Sequence, residues 1–136
     1  ILYRDLKPAN VGFDTQGNVR LFDFASARVL EPGTHLRKRC GTLRYMAPEV
    51  ARREHYTLSA DVYSFGILLW EVCSLEKPYG QQHNCQSSSS PESSADREAR
   101  LESLVCSDDK YPSLIPIPST KLKELLGACW CTLASQ

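Results

Sequence analysis

The stretch from about Ala60 to Ser74 constrains this chain more than any other. Val62, Phe65, Ile67, Leu68, Leu69, Trp70 and Val72 leave no clear polar face on the helix it encodes. A helix that is apolar all round belongs in a membrane or at the centre of a core. A span needs roughly 18 apolar residues, and here Gly66 and Glu71 interrupt a shorter run. The sequence therefore predicts a mainly α fold around one buried central helix, with Ser59 as N-cap and Pro78 and Gly80 ending it.

A chain of 136 residues is long enough for one domain around such a helix. Lysine plus arginine number 16 and aspartate plus glutamate 16, so the whole offers no electrostatic argument for nucleic acid or membrane as partners. No signal peptide is visible, and the first residue is Ile1 rather than methionine, as expected of a fragment. The six cysteines (Cys40, Cys73, Cys85, Cys106, Cys129, Cys131) contain no C-x-x-C pair. The expectation is buried, reduced thiols in an intracellular, cytoplasmic protein, without a zinc site.

Around the helix the chain divides readily. Val11 to Phe13 and Val19 to Phe22 read as short antiparallel strands, with Asp14-Thr15-Gln16-Gly17-Asn18 as turn chemistry between them. Residues 23–48 show neither helical nor strand periodicity and read as a long loop, a length that usually signals function or disorder. A low-complexity, serine-rich insertion occupies about 86–96 and lacks apolar surface to offset ordering entropy. A last helix is expected over about 120–133, with Leu122, Leu125, Leu126, Cys129, Trp130 and Leu133 on one face.

Chemistry concentrates at the beginning, in Tyr3-Arg4-Asp5-Leu6-Lys7-Pro8-Ala9-Asn10. A carboxylate, a lysine two residues on and an asparagine five residues on suit phosphoryl transfer. Asp5 can orient or deprotonate an attacking hydroxyl, Lys7 can neutralise phosphoryl charge, and the Asn10 amide oxygen can hold a metal ion. Asp23-Phe24-Ala25 follows the hairpin and places a carboxylate, a hard oxygen group, at its far end.

With Gly41-Thr42-Leu43-Arg44-Tyr45-Met46-Ala47-Pro48-Glu49, then Asp61, Ser64-Phe65-Gly66 and Cys129-Trp130, these motifs stand in the order found in eukaryotic-type protein kinases. The chain resembles their C-terminal lobe, nearest the tyrosine-kinase-like serine/threonine kinases. The resemblance implies a partial kinase domain over 1–136, with the catalytic loop at 1–13 and the activation segment at 23–49. It also implies ATP as phosphoryl donor, Mg²⁺ as cofactor and a protein substrate. Asp5 would be the base, Lys7 the phosphate-contacting cation, and Asn10 and Asp23 the magnesium ligands. Thr42 would bond near Asp5, and Asp61 would anchor the catalytic-loop backbone. Arg4 would hold a phosphate placed by an upstream kinase on Thr34 or, second, Ser26, and the basic run Arg37-Lys38-Arg39 could receive it too. Phe24 would pack on residue 3. Glu49 would pair with an arginine expected just beyond Gln136.

The chain also departs from the pattern. Tyr3 stands where the family has histidine, and Ala25 where it has glycine. Gly12 stands where a larger apolar side chain usually meets the nucleotide base. The glycine-rich loop and strand lysine of an N-terminal lobe are expected before Ile1, so the chain alone is expected to be inactive. A pseudokinase serving as a binding module, and a truncated gene copy, are the alternative readings.

Overall fold

The computed structural model describes residues 1–80, 93–107 and 110–131. Pro8–Asn10 form one 3₁₀ turn that Pro8 starts, a position where its missing N–H costs nothing. It feeds strand β1 (Val11–Phe13), which pairs antiparallel with β2 (Val19–Leu21) in the register Val11–Leu21, Gly12–Arg20 and Phe13–Val19. In the intervening turn Gly17 takes a left-handed φ of 83°. The Asp14 carboxylate accepts from the amides of Gln16 and Asn18 and from Arg20. Those bonds, the Asn18 ones foremost, hold its carboxyl down at about 2. β2 ends one residue earlier than expected, although the Phe22 N–H still donates to the Asn10 carbonyl at 2.9 Å.

The segment after the hairpin runs without regular strands or long helices, held by two isolated bridges, Leu2–Arg28 and Leu36–Tyr56. A 3₁₀ turn at Leu43–Tyr45 leads to the four-residue helix α1 (Pro48–Ala51). The central helix α2 spans Ser59–Ser74. Its cap position falls to Leu58 with no side-chain hydrogen bond, so Ser59 is its first residue rather than its cap. Leu75, at a left-handed φ of 58°, ends it before Pro78 and Gly80 are reached.

α2 is not buried on every side. Tyr63, Ser64, Gly66, Ile67 and Trp70 are buried, while Val62, Phe65 and Val72 remain exposed. All-round burial needs neighbours on every side, and among the described elements those packed most extensively on α2 are α4 and the Leu43–Tyr45 turn. Gly66 sets the approach to α4. A Cβ there would stand 2.7 Å from Cβ of Cys129 and 2.8 Å from Nε1 of Trp130, both on α4.

Two further helices follow among the described residues. α3 (Ser94–Val105) begins inside the stretch expected to be a low-complexity insertion, so residues 94–96 are its first turn. Ser93 and Asp96 form a reciprocal capping box there, and Leu101 and Val105 bury its apolar side. Residues 86–92 of that expected insertion lie outside the described residues. α4 (Thr120–Trp130) is capped by Ser119, whose hydroxyl accepts from the Leu122 amide. Its described range ends at Trp130, with Cys131 as C-cap; residues 132 and 133 of the expected helix lie outside the described residues. Leu126, Cys129 and Trp130 are buried, but Leu125 sits on the flank, 48% exposed.

The core gathers Leu2, Met46, Val50, Tyr56, Tyr63, Ile67, Trp70, Ile117, Leu126 and Trp130, so it joins the start of the chain to its last described helix. Cys40, Cys73, Cys106, Cys129 and Cys131 are free thiols. Only Cys129 among them is buried; Cys73 on α2 and Cys131 at the C-cap of α4 are exposed, and Cys85 lies outside the described residues. Among the described residues no helix is long and apolar enough to cross a membrane.

Candidate functional site

Asp5 stands at the centre of a hydrogen-bonded group assembled from two distant parts of the chain. One of its carboxylate oxygens accepts from both the amide and the hydroxyl of Thr42, at 2.9 and 2.7 Å. Its other oxygen meets the Lys7 ammonium at 2.8 Å. Lys7 also donates to the Thr42 hydroxyl at 2.9 Å, which closes a three-membered ring of contacts. Burial alone would raise the Asp5 carboxyl, but the bonds from Lys7 and Thr42 outweigh it and hold the group below the ordinary carboxylate range. Asp5 is thus a charged acceptor, kept in place and still partly open.

The buried Asn10 turns its amide N–H₂ to Asp5, donating to the backbone carbonyl at 2.9 Å and to the carboxylate at 3.2 Å. That leaves its amide oxygen as the atom available to a cation. The hairpin delivers Asp23 to the same end. Phe22 bonds to Asn10, and Asp23 follows it, exposed, with a left-handed φ of 52°. One Asp23 oxygen accepts from the Ala25 amide at 3.3 Å. An amide oxygen and a carboxylate are hard donors, and they fit a magnesium ion that keeps several of its waters. The left-handed backbone falls on Asp23; Ala25 has no positive φ and needs no glycine. No group of three or more His, Cys, Asp or Glu placed to hold a metal ion occurs among the described residues.

α2 supports this loop from beneath. The Asp61 carboxylate, in its first turn, accepts from the backbone amides of Tyr3 and Arg4 at 2.6 and 2.9 Å. This clamp holds Arg4 at a φ of 70°, a conformation that few residues with a side chain adopt. The Arg4 Nε donates to the Ser26 carbonyl at 2.6 Å. The Tyr3 ring meets Phe24 edge-on, with centroids 5.3 Å apart, and its hydroxyl donates to the Phe22 carbonyl. Burial raises the Tyr3 phenol, against a hydrogen bond from Asn10.

Asp5, Lys7, Asn10, Thr42, Asp61, Arg4 and Phe24 are therefore one connected set, with Asp23 joined to it through the hairpin. Thr34 is not part of it. It lies exposed in a turn, its hydroxyl donating to the Glu31 carbonyl at 2.6 Å. The basic run is not a uniformly solvated stretch: Arg39 is paired with Glu102 on α3, and the Lys38 carbonyl accepts from Tyr56 at 2.7 Å. Glu49 is buried in α1.

Two features escaped the sequence. Gly41 lets the backbone before Thr42 approach the catalytic-loop stretch, and Tyr45 donates to Glu71 of α2 at 2.6 Å, with Lys77 on the other oxygen at 2.8 Å. The first has a signal in principle, a glycine directly before the Thr42 motif. The second has none, because residues 26 positions apart carry no spacing rule.

An anionic acceptor beside an ammonium, with two hard oxygen donors near the end of a hairpin, is an arrangement whose chemistry suits phosphate and a hard cation. The chain belongs to the protein kinase family: the family's model, the protein kinase domain, matches residues 1–136. It is 35% identical over 96% of its length to R818 of Acanthamoeba polyphaga mimivirus, whose assigned name is that of a serine/threonine-protein kinase/receptor. It is 44% identical over 58% of its length to the serine/threonine-protein kinase AtPK1/AtPK6 of Arabidopsis thaliana. It is 46% identical over 58% to the human serine/threonine-protein kinase Nek2. The chain spans 7%, 17% and 18% of these relatives' own lengths.

Proposed function

We propose that this chain is the C-terminal-lobe part of a protein serine/threonine kinase that transfers the γ-phosphoryl group of ATP to a protein hydroxyl. The observation that carries the reading is Asp5, ionised and oriented by Thr42 while Lys7 bridges both. In this reading Asp5 accepts the proton of the attacking hydroxyl as its oxygen bonds to phosphorus and the bond to the leaving diphosphate breaks. The Lys7 ammonium offsets charge on the phosphoryl oxygens. Asn10 and Asp23 would hold Mg²⁺, which when bound neutralises the phosphates and aligns them for displacement. Thr42, hydrogen-bonded to the base, would border the site of the incoming serine or threonine. Three relatives' names support the serine/threonine class in particular.

The test is Asp5→Asn in the full-length protein that carries this chain. The substitution keeps the shape and the bond from Thr42 but cannot take the proton. Phosphotransfer to a protein or peptide substrate should fall at least about a hundredfold, with ATP affinity and the melting temperature nearly unchanged. Undiminished transfer by Asp5→Asn would show that the chemistry lies elsewhere, and a wild type that binds ATP without transfer would make this a binding module.

A further inference from the structure

Two imidazoles meet on the surface where the long segment after the hairpin crosses the connection between α1 and α2. His35 and His55 are both exposed, and their rings stack with centroids 5.6 Å apart and planes 20° from parallel. The backbone beneath them is fixed. Leu36 and Tyr56 exchange both hydrogen bonds of an antiparallel bridge, at 3.1 and 2.9 Å, and the Tyr56 hydroxyl donates to the Lys38 carbonyl at 2.7 Å. Tyr56 is buried in the core and Leu36 packs against it. Successive side chains of extended backbone point to opposite faces, so His35 and His55, each one residue earlier, turn outwards together. Among the described residues neither imidazole is tied to another residue by a hydrogen bond or an ion pair, which leaves the ring nitrogens to the solvent.

Paired imidazoles on a fixed backbone make a bidentate ligand for a late first-row divalent metal. Imidazole nitrogen suits zinc, copper and nickel, whereas magnesium and calcium take oxygen. Neighbouring charges reinforce that choice. Arg37 and Arg53 are exposed close by in sequence and repel any cation, and the Glu54 carboxylate is already bound by Arg52 at 2.9 Å. A cation is held here by metal–nitrogen bonds rather than by charge, and hard ions form such bonds poorly. We infer that His35 and His55 form a two-histidine site for zinc or a neighbouring divalent transition metal, which clamps the segment carrying Leu36 to the segment carrying Tyr56. Each nitrogen must come to about 2.0–2.1 Å from the metal. Exposed side chains reach that distance by turning their rings, and water fills the remaining positions. Two protein ligands make an open, exchangeable site, unlike the closed four-ligand sites that hold zinc permanently. Neither histidine belongs to the Asp5 group, but occupancy acts on the same stretch of chain that delivers Thr42 to Asp5.

The full-length protein carrying this chain, stripped with EDTA, should be titrated by calorimetry with zinc chloride and, separately, with magnesium chloride. His35→Ala and His55→Ala should each weaken zinc about tenfold or more, because two ligands on one frame reinforce each other. The double variant should lose little beyond either single one, and His83→Ala, which removes the third histidine of the sequence, should bind zinc as wild type does. Hydrogen exchange at the Leu36 and Tyr56 amides reports the bridge directly. Zinc should slow it in wild type and leave it unchanged in the His35 and His55 variants, and magnesium should have no effect. His35→Gln and His55→Gln, which keep the bulk of the side chain, carry the test if either alanine lowers the melting temperature of the metal-free protein. Unchanged zinc affinity in either single variant, or bridge amides indifferent to zinc in wild type, would overturn the inference whatever the phosphotransfer activity.

Discussion

A Cβ on Gly41 would overlap the Arg4 carbonyl oxygen and lie only 3.3 Å from the Arg4 carbonyl carbon. Gly41 has a φ of 102°, so conformation and space both exclude a side chain. This contact brings the segment that starts with Thr42 against the loop that carries Asp5. The Thr42–Asp5 hydrogen bonds depend on it.

Gly41→Ala should therefore separate the two segments. Backbone strain of this kind costs roughly 1–3 kcal/mol, and the clash with backbone rather than a flexible side chain puts the loss at the upper end. Urea denaturation should show the loss, and phosphotransfer should fall more than stability does. A midpoint indistinguishable from wild type would mean that the loops can part without consequence.

Asp61→Ala removes the acceptor for two backbone amides, those of Tyr3 and Arg4. Bonds to a charged group contribute about 1.5–3 kcal/mol each, and Arg4 would lose the clamp that holds its left-handed backbone. Thermal unfolding should register about 3 kcal/mol in Asp61→Ala and a smaller loss in Asp61→Asn, which keeps one acceptor oxygen. Equal effects from the two variants would argue against the clamp.

Gly66→Ala tests the joint between α2 and α4. The added methyl meets Cβ of Cys129 and Nε1 of Trp130, both in the buried interface. Overpacking of a filled core costs typically about 1–3 kcal/mol, visible as a lower melting temperature with the near-ultraviolet signal of Trp130 altered. A fully tolerated alanine would show that α4 can slide on α2.

Alkaline stability should be limited by the buried tyrosine pair. The Tyr63 and Tyr79 hydroxyls lie 3.0 Å apart. Burial pushes the Tyr79 phenol up to about 12, against the opposing hydrogen bond from Tyr63, and raises Tyr63 as well. A phenol whose folded value exceeds its unfolded value of about 10 stabilises the fold fully below that pH. Its contribution is lost as pH rises towards the folded value. Tyr79→Phe should cost about 1 kcal/mol at neutral pH, yet show a shallower decline between about pH 10 and 12. Circular dichroism melts across that range decide it, and parallel slopes for the two proteins would refute the linkage.

Thr34 offers a regulatory test. It is exposed, on a turn well outside the Asp5 group, while Arg4 is satisfied by the Ser26 carbonyl. If an upstream kinase phosphorylates Thr34, ordering of this segment by new charge-assisted bonds should raise activity by about tenfold or more. The comparison is phosphorylated wild type against Thr34→Ala in the full-length protein. Identical activity of the two would remove Thr34 from the scheme and leave Ser26 to be tried.

Local patterns in the chain were enough for some parts and not for others. The hairpin was legible because Asp14 to Asn18 contain a turn whose geometry is decided within five residues. The last helix was legible from its periodic leucines as far as Trp130; Leu133, the end of the expected face, lies outside the described residues. α3 was missed because serine-rich composition drew attention from a sound helix start, Ser93 with Asp96, and from Leu101 and Val105 behind it. The central helix was found by hydrophobicity, and the same hydrophobicity overstated its burial. Apolar residues report what can be buried; the neighbours that do the burying are set by the rest of the fold.

The order of motifs by itself determined the family and the chemical types at the site, because an acid, a lysine and an amide at close spacing are read within one short loop. Tertiary structure alone decided that Thr42 meets Asp5 across 37 residues, that Asp61 holds Tyr3 and Arg4 across more than 50, and that Phe22 rests on Gly12. Such contacts depend on how the backbone of one segment approaches another. The first of these approaches is governed by Gly41 and the last by Gly12, whose effect lies in the side chain they lack and becomes visible only when the opposing surface is in place.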